Sequence, residues 1–139
     1  MREILFKAKQ LDNGEWIEGG FCQSSDGRTY IVGVSKRGYI DGLEVIPETI
    51  CQYTGLTDKN CNKIWENDIV KVKFREGRIG AVEKEYNYVA VYDEFQAYWR
   101  FEGNDDLLGS PSLVQSNQHI FEVIDNIFDN PELLNNLIK

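Results

Sequence analysis

The sequence predicts a mainly β protein, and three observations carry that prediction. Residues of strand-favouring type come in short runs, such as Thr29 to Val34. Turn pairs such as Asn13-Gly14 and Asp26-Gly27 fall between those runs. Val70, Val72 and Phe74 alternate with Lys71, Lys73 and Arg75, the two-residue period of a half-buried strand.

The elements follow in chain order. Glu3 to Ala8 alternates, with Ile4, Phe6 and Ala8 on one face and Glu3, Leu5 and Lys7 on the other. Asp12-Asn13-Gly14 turns the chain, and Glu15 to Phe21 resumes an extended pattern. Asp26-Gly27 ends another segment before the β-branched run Thr29 to Val34. Arg37-Gly38 and Asp41-Gly42 read as two more turns. Ile46-Pro47 breaks any element there, because the residue before a proline is held extended. Pro47 to Tyr53 reads as a short helix with Pro at its first position, or as a loop.

The polar run Asp58 to Lys63 reads as the join between an N-terminal β-rich part, 1–60, and a second part, 61–139. Ile69 to Arg75 is the clearest strand. Glu76-Gly77-Arg78 turns the chain and Ile79 to Lys84 returns. Tyr88 to Tyr92, Ala97 to Phe101 and His119 to Ile124 are further strand candidates, and Gly103 to Pro111 is a loop by composition. Asn130-Pro131-Glu132 has the order N-cap, Pro at the first helical position, then an acidic residue facing the positive helix end. It predicts a short helix from Pro131 to about Leu137, whose leucines pack back onto the strands. Several short strands with turns between them suggest a small β-barrel or sandwich.

At 139 residues the chain is one domain or two very small ones. Aromatic residues make up 12%, too many for a disordered chain. No apolar run approaches the roughly 18 residues that span a bilayer, so no membrane partner is expected. The formal net charge is -8, and it is local. From Met1 to Tyr92 there are 13 basic and 14 acidic residues; from Asp93 to Glu132 there are nine acidic residues against Arg100. That block reads as a solvated acidic face or as a docking surface for a basic partner.

Catalytic chemistry finds few partners here. His119 is the single histidine, and Cys22, Cys51 and Cys61 form no CxxC pair. A zinc site needs about four N/S ligands at short spacings, so no metal is expected. There is no G-x-S-x-G, Walker A, G-x-G-x-x-G or EF-hand loop. The expectation is no enzyme, no catalytic residue and no cofactor. The odd cysteine count and an N-terminus without an apolar run predict reduced thiols in the cytoplasm.

One surface suggests a ligand. Lys71, Lys73 and Arg75 share a strand face, with Arg78 and Lys84 following. Tyr86, Tyr88 and Tyr92 would be a base-stacking set beside them, as in barrels that bind single strands. The alternative is an edge strand protected by lysine. A net charge of -8 is a handicap toward nucleic acid.

Two central blocks are more distinctive. They are Pro47-Glu48-Thr49-Ile50-Cys51-Gln52-Tyr53-Thr54-Gly55-Leu56-Thr57-Asp58-Lys59-Asn60 and Lys63-Ile64-Trp65-Glu66-Asn67-Asp68-Ile69-Val70. Together with Met1 to Ile4 and Val123 to Leu134, they resemble the signature of the YopX-like phage protein family. The resemblance covers nearly the whole chain, with variable stretches at 10–45 and 85–118. The family pattern tends to have glycine where this chain has Cys51, Cys61, Asn67 and Asp125. The resemblance implies a phage or prophage protein with a C-terminal SH3-like barrel and no established activity. It carries over no catalytic residue.

The expected role is a non-catalytic interaction module in the cytoplasm of a bacterial host. Its partner would be a phage protein, a host protein or a second copy of the chain. Tyr53 and Trp65 are the candidate contact residues within the signature. Burial of Trp65 would assign the block to packing, and exposure would make it a contact hot spot. Two alternatives remain: a nucleic-acid module using Lys71, Lys73, Arg75 and Arg78, and an acidic decoy that binds a basic host protein through residues 93–132.

Overall fold

The structure is a computed structural model that describes residues 2–34, 36–76, 82–103 and 120–135. The chain forms two compact units, Met1–Gly55 and Leu56–Lys139.

The first unit contains β1 (Phe6–Lys9), β2 (Trp16–Gln23), β3 (Thr29–Val34) and β4 (Ile40–Glu44), then a 3-10 turn over Pro47–Thr49. β5 (Cys51–Thr57) begins in this unit and ends in the second, to which β6 (Lys63–Trp65) belongs; the strand order is β4-β3-β2-β1-β5-β6. Ala8, Ile31 and Val45 are the first unit's buried centre, with Phe6, Ile17 and Ile50 packed around them. β2 changes partner midway. Its residues 16–19 pair with β1, and Gly20 to Gln23 pair with β3. Gly19 sits at the changeover, where a Cβ would lie 2.4 Å from the Val32 carbonyl oxygen. Beyond β4 the chain returns to β1 through one bridge, Gln10↔Val45. Leu11 N donates to Glu44 O at 3.0 Å and Ile46 N to Lys9 O at 2.9 Å.

Two segments of this unit differ from their sequence pattern. Asp41-Gly42 lies inside β4 and makes no turn. Gly42 stands opposite Val32, and a Cβ there would come within 3.0 Å of a Val32 methyl, so cross-strand crowding accounts for the glycine. Pro47 to Tyr53 is neither helix nor loop throughout. The 3-10 turn covers three residues, and a strand begins at Cys51. Cys51 and Tyr53 are buried while Gln52 and Thr54 are less so, a two-residue period hidden in the sequence by Pro47 before it and Gly55 after it.

The second unit holds β7 (Asp68–Glu76), β8 (Val82–Asp93), β9 (Tyr98–Glu102), β10 (Phe121–Asn126) and a one-turn helix, α1 (Glu132–Asn135). Its sheet has the order β10-β7-β8-β9 and is antiparallel throughout. One face carries the larger core: Val70, Val72, Tyr88, Ala90, Phe101 and Phe121, with Ile64. On the other face Ile69 and Val89 are covered by Ile124, Ile127, Leu133 and Leu134, so these two leucines pack back onto the sheet, while Leu137 lies outside the described residues.

The fold is mainly β, as expected, but no closed barrel forms among the described residues. β9 and β10 are the two outer strands of an open sheet. The segments read as separate strands around Ile79–Lys84 and Tyr88–Tyr92 are largely one twelve-residue strand, β8. The expected strand at His119 to Ile124 lies at Phe121–Asn126. His119 and all but the first residue of the loop read from Gly103 to Pro111 lie outside the described residues.

Two of the four positions where the family favours glycine are left-handed here. Cys61 has φ 64° and Asn67 has φ 69°. A cysteine strains in that region, whereas asparagine tolerates it. Cys61→Gly is therefore expected to raise stability by about 0.5–1 kcal/mol, read as a higher denaturation midpoint, and Asn67→Gly by less. Unchanged midpoints for both would show that the strain is relieved elsewhere.

Candidate protein-interaction site

The signature residues proposed as contacts point inward. Tyr53 is 8% exposed and Trp65 is 5% exposed. Trp65 N donates to the buried Asp68 carboxylate at 2.8 Å. The burial of Trp65 is the outcome tied above to packing.

The same block is fastened by Asp58. Its backbone N donates to Asn62 O, and Cys61 N returns to Asp58 O, closing the turn. The carboxylate accepts from Asn60 N and Asn62 N at 2.9 Å each, and from Val123 N at 3.0 Å. The Asn62 amide adds a longer bond at 3.4 Å. Burial pushes the Asp58 carboxyl up, but the bonds from Val123, Asn62 and Asn60 outweigh it and hold the group below its ordinary value. The polar run 58–63 is thus a folded clasp between the signature and β10.

The basic stripe is matched by acid. Lys73 stands opposite Glu85 and pairs with it at 3.2 Å. Lys71 stands opposite Glu122 on one side and Asn87 on the other. Glu122 also meets Lys59 at 3.2 Å. Arg75 is opposite Glu83 by register, and Arg78 lies outside the described residues. The proposed stacking set is on the wrong side of the sheet. Tyr86 and Tyr88 stand opposite Val72 and Val70, so they share the core face, and Tyr88 is fully buried. Lysines and tyrosines were read as one surface, and the strand register separates them by the thickness of the sheet.

Several of the described acidic residues have local partners. Asp93 caps the β8–β9 turn, Glu102 and Asp93 flank Arg100 at 3.6 Å, and Asp129 accepts from the Asn126 amide at 2.9 Å. Asp105 and Asp106 lie outside the described residues. Among the described residues no three His, Cys, Asp or Glu side chains gather as a metal site, and no helix is long and apolar enough to cross a membrane.

The feature that stands out is the β8–β9 turn. Phe95 is 98% exposed at its tip. The turn beneath it is well fixed. The Asp93 carboxylate accepts from Phe95 N at 3.1 Å and Gln96 N at 3.0 Å, and Ala97 N donates to Asp93 O at 2.7 Å. Ala97 closes the turn in the left-handed region, at φ 59°. Below the tip, Tyr92 and Trp99 pack edge to face with centroids 5.0 Å apart, and Tyr92 remains 43% exposed. Sequence reasoning passed over this turn, although an aromatic in the middle of Asp93-Glu94-Phe95-Gln96, between two strands, is itself a signal.

These features define an all-antiparallel β protein of two small units, with an aromatic side chain displayed on a braced hairpin. The chain matches the YopX protein family over residues 5–135, and it belongs to that family. It is also similar in fold to protein EF1440 from Enterococcus faecalis, known as a crystal structure. The two are 22% identical with a TM-score of 0.60, over 96% of this chain and 99% of that one. No curated protein matches the chain in sequence.

Proposed function

We propose that this is a non-catalytic protein-interaction module, encoded by a phage or prophage and acting in the bacterial cytoplasm, and that Phe95 is its anchor. The observation that carries the reading is a phenylalanine 98% exposed on a turn held by three hydrogen bonds. A lone exposed apolar side chain is ordinary. One carried on a turn whose backbone is held by hydrogen bonds is presented from a preorganised position, so binding orders the ring but not the turn. Aromatic anchors of this kind dominate protein interfaces. The partner is a phage or host protein with an apolar pocket of matching size. Lys73 is paired with Glu85 across the sheet, and Tyr86 and Tyr88 share the other face with Val72 and Val70, which does not favour stacking rings beside these cations.

The test is capture of partners by the tagged chain from bacteria in which the phage is active, with and without nuclease. A protein partner that survives nuclease is expected. Phe95→Ala should weaken its recovery at least about tenfold, the effect of losing a hot spot of roughly 2 kcal/mol. Its thermal midpoint should stay unchanged, because so exposed a ring supports no core. Recovery that is unaffected by Phe95→Ala, or that vanishes with nuclease, would reject the reading.

A further inference from the structure

We propose that the cleft where β2 leaves β3 is a docking site for a basic side chain, arginine or lysine, of a partner protein. The site lies in the first unit and does not rest on the Phe95 reading.

The cleft follows from the way β2 divides its pairing. Gly20 to Gln23 pair with β3, and Trp16 to Gly19 pair with β1. Past Val32, β3 runs on with β4 alone, through Gly33↔Asp41 and Val34↔Ile40. The sheet therefore opens between Ile17 and Glu18 on one side and Gly33 and Val34 on the other. Glycine keeps the opening empty, since a Cβ at Gly33 would meet no atom within 4 Å. The result is a hollow of about 240 Å³ with an apolar lining of Ile17, Ile31, Val34 and Leu43. Ile31 is 3% exposed and belongs to the core, whereas Val34 and Leu43 are open to solvent.

Charge selects the occupant. Glu18 and Asp41 add two exposed carboxylates to the lining. Neither is held by an ion pair among the described residues. Lys7 stands opposite Glu18, but its ammonium lies over the Trp16 ring, 4.6 Å from the ring centre. Lys36 and Arg37 lie beyond Val34, in the connection to β4, and pair with neither carboxylate. An apolar occupant would strip water from two charges and leave them unpaired. A basic side chain suits both parts of the cleft. Its aliphatic stem covers the apolar lining while its head meets the carboxylates. A guanidinium, planar and weakly hydrated, fits two carboxylates well. Size points the same way. The hollow is smaller than the roughly 300–1,000 Å³ of small-molecule sites, so it admits one side chain of a larger partner.

Backbone amide shifts of the isotope-labelled full chain, recorded at low salt as acetyl-Ala-Arg-Ala-amide is added, test the site. Saturable shifts are expected at Ile17, Glu18, Gly33 and Asp41, with a Kd of about 1 mM, because one side chain supplies few contacts. The same peptide with citrulline, similar in shape but uncharged, should bind at least about tenfold more weakly. Glu18→Gln combined with Asp41→Asn should weaken the arginine peptide to the same degree. Gly33→Leu keeps both charges and fills the hollow, and should abolish the saturable shifts. Each variant's own spectrum reports its fold, and the citrulline comparison needs only the wild type, so it decides even where a variant fails to fold. No saturable shift up to about 20 mM peptide overturns the proposal. So does equal binding of the citrulline peptide, or unweakened binding to the folded double variant. Binding retained by folded Gly33→Leu also overturns it, because the peptide would then be meeting surface charge and not the cleft.

Discussion

Replacing Asp58 by Ala is expected to be among the most damaging single changes in the second unit, costing about 3–4 kcal/mol. Asp58 is 5% exposed, and its carboxylate serves three backbone N–H groups and one side-chain amide. Two of those donors belong to the turn at 58–62, and the third belongs to Val123 in β10, 65 residues away in sequence. Removing the acceptor breaks four part-buried hydrogen bonds at once, and each donor that water does not reach costs about 1–3 kcal/mol. Water reaching the cavity would recover some of that, so the sum stays below the maximum. Asp58→Asn is the sharper variant. Its shape is unchanged, but one oxygen becomes an NH2 that faces donors. A chemical denaturation midpoint for Asp58→Asn close to the wild type would show that the clasp is dispensable.

The same group sets a pH dependence. Its folded pKa lies below the ordinary value, held there by the bonds from Val123, Asn62 and Asn60 against the upward push of burial. A depressed carboxylate binds its proton more weakly in the folded chain than in the unfolded one. Its stabilising contribution is therefore complete above the unfolded pKa of about 3.9, and is lost as pH falls through the folded value. Other carboxylates titrate in the same range. Comparison with Asp58→Asn isolates this one: the gap in stability between wild type and variant should be constant from pH 7 to about pH 5 and narrow below it. A gap that stays constant down to about pH 3 would contradict the assignment.

The legible parts of the fold were those where one local pattern decided the outcome. Thr29 to Val34 was read with its true ends, because β-branched residues sit between two turns. Ile69 to Arg75 was read almost whole, because valines and lysines alternate without interruption. The misreadings came where a residue has two uses. Gly42 looks like a turn and serves cross-strand crowding; Cys51 to Thr57 looks broken by its neighbours and is a strand. The candidate site was harder to see for a different reason. Parity within β8 separates Glu85 and Asn87 from Tyr86 and Tyr88, but only the pairing with β7 says that the tyrosines join the valines and the acid joins the lysines. Register is a property of two strands. Exposure of Phe95 likewise depends on how the turn is held, which no local pattern states.

Gly19 carries the other large expected effect, and its neighbours supply the controls. A Cβ at Gly19 would stand 2.4 Å from the Val32 carbonyl oxygen and 3.0 Å from a methyl carbon of Ile31. The first contact is with backbone, which cannot swing aside as a side chain can. Gly19→Ala must push β3 away from β2 at the point where β2 leaves β1 for β3. Ile31, a centre of the first unit's core, moves with it. Overpacking of this kind costs about 2–3 kcal/mol, or roughly 10 °C in thermal midpoint for a chain of this size. Gly20→Ala differs by one position. Its Cβ would sit 3.6 Å from Val32, ordinary contact, and should be well tolerated. Gly33→Ala has open space and should be neutral or slightly stabilising, since it reduces the freedom of the unfolded chain. All three replace glycine by alanine in the same sheet, so intrinsic propensity is held constant. A loss at Gly19 alone would show that close backbone approach fixes the turn of β2 between its two partners. Equal effects at Gly19 and Gly20 would show that β2 is held there by strand propensity alone.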